Sequence, residues 1–157
     1  MSWHDFHQRQ RAIAAVLDSA RQNPAQALDQ VPAPFSDATE LLRALQHKWT
    51  QQLIGRVDVA LTETGDAPDG DRIQAVTEAW RTTAAANPVL RDLLDRNQAD
   101  PVLRGDAARE HRMLALASGL AEPAEPDAEV VRVGQAFLQL LRATGVESSR
   151  TCLLSLR

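Results

Sequence analysis

An all-α fold is predicted for this 157-residue chain by three observations. A capped amphipathic helix starts at Asp37, apolar residues recur at helical spacing on either side of it, and proline or glycine turns punctuate the segments. The expected architecture is one helical bundle of about six helices, a single domain over residues 1–157. A chain of this length buries roughly 68–70% of its unfolded surface, so the core requires neither a metal nor a disulfide.

Each element has its own signal. Asp5 to Arg21 carries Phe6, Ile13, Val16, Leu17 and Ala20 on one face, and Asn23-Pro24 stops it. Pro32 and Pro34 disfavour helix at the residues before them, so Ala25 to Pro34 is expected as a compact loop. Asp37 with Glu40 three residues on forms a capping-box-like start, followed by Leu42, Leu45, Trp49, Leu53, Val57 and Leu61. Gly65 to Gly70 ends this helix; Ile73, Val76, Trp80 and Ala84 mark a third, to about Ala86, and Trp80 is expected to share a core with Trp49.

Asn87-Pro88 and Asp100-Pro101 each place a capping residue before a proline, and each continues Val-Leu-Arg. The copies diverge at once, so they are expected to be convergent helix starts, one running to about Arg96 and the other ending near Gly119. Residues 120–127 hold an acidic, proline-bearing linker, after which Asp127 is expected to cap a last helix with Val130, Gly134, Phe137, Leu138 and Leu141. Gly145 is the expected C-terminal cap, followed by a tail over residues 146–157 with an apolar end. The predicted core is Leu45, Trp49, Leu53, Val57, Val76, Trp80, Leu90, Leu94, Leu114, Phe137 and Leu141.

Composition narrows the partners. Net charge is −4 with scattered acids, which leaves no electrostatic footprint for nucleic acid. Lys48 is the single lysine among 17 basic residues, an arginine bias pointing to a GC-rich bacterial genome. One cysteine, Cys152, excludes an intramolecular disulfide framework. With no apolar run of membrane-span length and no basic and apolar leader pattern at Met1 to Asp5, a soluble cytoplasmic protein without membrane contact is expected.

Candidate chemistry is sparse. His4 and His7 form one loose i, i+3 pair, and His47 and His111 stand apart, so the sequence supplies no convergent metal-ligand set and no metal or cofactor is expected. Cys152, Ser148 and Ser149 lack a base or an electropositive setting, and no catalytic residue is assigned. Asp92 with Asp95 and Asp106 with Glu110 are expected on solvated, arginine-laced helix faces. Gly55 and Gly134 each cost about 1 kcal/mol against alanine inside a helix, and close helix crossing is the expected reason.

The run from Phe35 to Leu45 resembles the junction, in tetracycline-repressor (TetR) family regulators, where an aromatic, a serine and an acidic pair lead into the first ligand-domain helix. Trp49 to Leu61, the Gly/Asp/Pro turn, Asp71 to Trp80 and Asn87-Pro88-Val89-Leu90 are similar to that family's next helices. The resemblance covers about residues 35–97 and implies a ligand-domain-like fold, a small ligand and dimerisation. Two features depart from the family. About a dozen residues with Pro24, Pro32 and Pro34 separate Arg21 from Phe35, which leaves no room for a helix-turn-helix, and one long C-terminal helix stands where the family has two.

The expected function is therefore a non-enzymatic domain that binds a small apolar ligand or a protein partner, or forms a homodimer, without direct DNA contact. The ligand would meet Trp49, Leu53, Val76, Trp80, Met113 and Phe137, residues that serve equally well as plain core. The alternative is a structural or regulatory interaction module using the last helix and Cys152, Leu153, Leu154 and Leu156.

Overall fold

The computed structural model describes residues 1–66 and 68–154, with side chains described to residue 145 except at 69 and 70. Among the described residues there are six α-helices and no strand: α1 (Trp3–Gln22), α2 (Ala38–Thr64), α3 (Asp69–Ala86), α4 (Pro88–Arg96), α5 (Arg104–Ala117) and α6 (Asp127–Leu154). A 3-10 turn, Pro101–Leu103, leads into α5. All eleven predicted core residues are buried. The chain divides into two compact units, residues 1–52 with 86–105, and residues 53–85 with the chain from 106 onward.

In the first unit, α1 begins two residues earlier than its apolar pattern suggests, because Ser2 caps it. The Ser2 hydroxyl accepts from the Asp5 N–H at 3.1 Å, and Asp5 Oδ2 accepts from the Ser2 N–H at 3.1 Å, so two otherwise unsatisfied donors are paired reciprocally. Ala12, Ile13, Val16 and Ala20 face inward on α1, which packs against α4. Phe6, expected on that face, is instead exposed, since it lies at the helix's free first turn. The loop after α1 is a series of turns that buries Ala27 and Phe35.

Asp37 caps α2 as predicted, its Oδ1 accepting from the Glu40 N–H at 2.8 Å. Glu40 does not complete the box on Asp37; its carboxylate takes the Ser36 N–H and hydroxyl, both at 2.9 Å, one residue upstream. Leu41, Leu42, Leu45 and Trp49 then bury one face of α2, with Leu90, Leu93 and Leu94 buried on α4. Fully burying one such leucine stabilises by about 1.5–3 kcal/mol. The Arg91 guanidinium lies 4.5 Å from the Trp49 ring centroid and is held there by Asp95 at 2.8 Å. The two Pro-Val-Leu-Arg starts diverge in structure: Pro88 opens an α-helix and Pro101 a 3-10 turn capped by Asp100, while the Asn87 amide reaches Gln52 and does not bond to the first turn of α4.

The second unit is built from the end of α2 with α3, α5 and α6, burying Leu53, Val57, Val76, Trp80, Leu114, Val130, Phe137, Leu138 and Leu141. α5 ends in a Schellman motif at Gly119, φ 77°, with the Leu120 N–H on the Ala115 carbonyl (3.1 Å) and the Gly119 N–H on Leu116 (3.2 Å). The Arg72 guanidinium donates to the Leu116 and Ala117 carbonyls, placing a cation at the negative end of α5.

Gly134 explains itself: a Cβ there would lie 1.7 Å from the His111 carbonyl oxygen, so the α6 backbone seats directly on α5. Gly55 does not follow the expectation, since a Cβ there would meet open space. Gly145 is not a cap. It is an interior residue of α6, which runs on to Leu154 through a stretch free of helix breakers. Asp127 is the first residue of that helix, not its cap, and it pairs with Arg112. Asp92, Asp95 and Asp106 do form helix-surface ion pairs, but Glu110 turns inward and is 7% exposed.

Candidate functional site

The six residues to which the sequence assigns a ligand do not all lie in one unit. Trp49 belongs to the first unit, buried beneath Arg91. Leu53, Val76, Trp80 and Phe137 are buried in the second unit, whose inward faces they fill. Met113 is half-buried on α5, where it lines a shallow depression of about 410 Å³ with Arg109, Arg112, Leu116 and Ala117. Cys152, Leu153 and Leu154 fall on α6, but their side chains, and all of Leu156, lie outside the described residues.

A concave surface with exposed aromatic residues beside it lies in the first unit, between α1 and α2. It encloses about 760 Å³. α1 contributes Phe6, Arg9, Gln10 and Ile13, which are i, i+3, i+4 and i+7 on one helix face. α2 contributes Glu40, Arg43, Ala44, His47, Lys48 and Gln51, the same spacing continued for a third turn. At a rise of about 1.5 Å per residue, the α2 wall is roughly 16 Å long.

At one end stand aromatic side chains that the core does not use. Trp3 is 76% exposed and Phe6 45% exposed. Their rings stack at 6.2 Å, and the His7 ring meets the Trp3 ring edge-on at 4.2 Å. Leaving two large aromatics in water forgoes several kcal/mol of burial, since each carries 150–250 Å² of surface at about 25 cal/mol per Å². The Ser2 capping box fixes the turn that presents them.

The electrostatics of the groove run against those of the chain. Glu40, the one carboxylate among the lining residues, is engaged by Arg9 at 2.8 Å, and Arg9 in turn lies over the Phe35 ring at 4.5 Å. The Ser36 N–H, the Arg9 guanidinium and the Ser36 hydroxyl together hold the Glu40 carboxyl down at about 2. Arg43 and Lys48 then line the groove with no carboxylate partner among the described residues. The wall is thus cationic in a chain of net charge −4.

The histidines are dispersed: His4 bonds to Gln8 at 2.8 Å, His7 touches Trp3, His47 lines the groove, and His111 lies in the second unit, where burial lowers its pKa. No group of three or more metal-ligating side chains occurs among the described residues. None of their helices is long and apolar enough to cross a membrane.

Sequence reasoning missed the groove because its residues, taken singly, are an ordinary polar helix surface. The available signal was Trp3 and Phe6 at i, i+3 directly after a Ser2/Asp5 capping pair, with the single lysine on the facing helix.

The fold and groove define an all-helical protein with a surface cleft in its first unit. Compared with known proteins, the chain matches no family model, no curated protein and no solved structure.

Proposed function

We propose that this chain is a non-enzymatic helical binding protein whose partner is another protein, engaged at the α1–α2 groove. The observation that carries the reading is the exposed Trp3–Phe6 pair at the mouth of the groove. A proud tryptophan is suited to inserting into a pocket on a partner, and Trp is enriched among the few residues that dominate binding energy. A small ligand lying in the groove would leave Trp3 in water, so a macromolecular partner accounts for more of the surface.

A photo-crosslinking residue in place of Gln10, an exposed residue lining the groove, tests this in the host cell and leaves Trp3 intact, with the exposed Leu140 on α6 as the control position. A discrete protein adduct is expected from position 10 and not from 140. Adducts from 140 alone would shift the function to the last helix, and none from position 10 would refute the proposal.

A further inference from the structure

We infer that the occupant of the α1–α2 groove is an amphipathic helix of a partner protein that carries carboxylates beside its apolar stripe; this rests on the binding role proposed for that face. Shape selects the helix. Both walls are helices whose backbone donors and acceptors are satisfied internally, so an extended peptide finds no open sheet edge to pair with. A helix brings its own backbone bonds and offers anchors at i, i+3, i+4 and i+7, the spacing the groove itself presents over about 16 Å. Phe6, Ile13 and Ala44 supply the apolar part of the lining, and the exposed Trp3 ring stacks beside Phe6 at the mouth.

Charge selects the carboxylates. Arg9 is consumed by Glu40, whereas Arg43 and Lys48, one turn or so apart on α2, line the groove without acid partners among the described residues. Gln10 and Gln51 complete a rim able to donate or accept. A basic partner would meet like charge there and lose specificity and association rate.

The test uses the full chain and two designed helical peptides of about 18 residues with the same leucine stripe, one flanked by glutamate and the other by lysine. Anionic phosphatidylglycerol vesicles form a third arm. Trp3 reports selectively, because Trp49 is 0% and Trp80 6% exposed and neither changes environment when the surface is covered. The glutamate peptide is expected to shift Trp3 emission to the blue and to bind about tenfold more tightly than the lysine peptide, with an affinity that falls as salt rises. Arg43→Glu and Lys48→Glu should each weaken the glutamate peptide by about threefold to fivefold and strengthen the lysine peptide, while circular dichroism stays unchanged.

Equal or tighter binding of the lysine peptide, or charge reversals that leave the ratio unaltered, would overturn the acidic-helix inference and leave the binding face standing. No Trp3 response to either peptide overturns the inference as well, and the crosslink at position 10 then judges the face by itself. A larger Trp3 shift with vesicles than with the glutamate peptide would replace the helix by an anionic lipid surface.

Discussion

The same substitution, glycine to alanine, should act in opposite directions at two interior helix positions of the second unit. At Gly134 the new Cβ would lie 1.7, 2.4 and 2.8 Å from the carbonyl oxygen, carbonyl carbon and Cα of His111. All three are backbone atoms, so no side chain can swing aside. A close C···O approach is about 3.3 Å; from 1.7 Å, α5 and α6 must separate by roughly 1.6 Å. A gap of even 0.5–1 Å forfeits about a quarter to a half of each van der Waals contact. Leu114, Ala115, Val130, Phe137 and Leu138 are buried on these two helices.

Overpacking of this kind costs about 3 kcal/mol or more, offset by about 1 kcal/mol of helix propensity, for a net loss of about 2–4 kcal/mol. At Gly55 nothing lies within 4 Å of the added carbon, so only the propensity gain of about 0.5–1 kcal/mol remains. For a chain of this size the melting temperature should fall by about 5–15 °C for Gly134→Ala and rise by about 1–4 °C for Gly55→Ala. Thermal melts followed by far-UV circular dichroism measure both shifts, and urea denaturation gives the matching free energies. A Gly134→Ala protein as stable as the parent would refute the backbone contact between α5 and α6.

Three further outcomes are expected. Gly145→Ala should stabilise by about 0.5–1 kcal/mol, since the residue is interior to α6 and has no positive φ; a loss of similar size would restore it to the capping role that the sequence suggests. Glu40, held at about 2 against an ordinary 4.5, stabilises fully above about pH 4.5 and progressively less down to about pH 2, because the unfolded chain takes the proton first. The stability gap between the parent and Glu40→Gln should therefore stay level from pH 7 to 5 and close below that, and a gap still open at pH 2 would contradict the assignment. His111, lowered below 6.5 chiefly by burial, with Glu110 opposing and Arg142 assisting, contributes stability above pH 6.5 that is lost as pH falls toward its folded value. A proton NMR titration should place its ring below 6.5, and His111→Gln should lose that slope.

Helix existence and the core were legible because both rest on local rules. The apolar spacing of Leu45, Trp49, Leu53 and Val57 is a property of one helix face, and all four are buried. Boundaries were legible where a breaker or cap forces them, as at Gly65 and Gly119, both at positive φ. They failed at Gly145, where a glycine inside a continuing helix has the same composition as a cap and only the backbone path separates the two. Ser2 escaped notice because a cap at the first few residues precedes any apolar repeat that would draw attention to it.

The sequence by itself determined the helical class, the turns at Gly65 and Gly119 and the inward faces apart from Phe6, since helix periodicity and capping chemistry act over four or five residues. Only the tertiary structure decided that Gly134 is a contact and Gly55 is not, that Glu110 turns inward, and that Phe6 stays in water beside Lys48 across a groove. Those outcomes depend on which helices meet and at what depth, and residues some forty positions apart in the chain carry no local sign of having met.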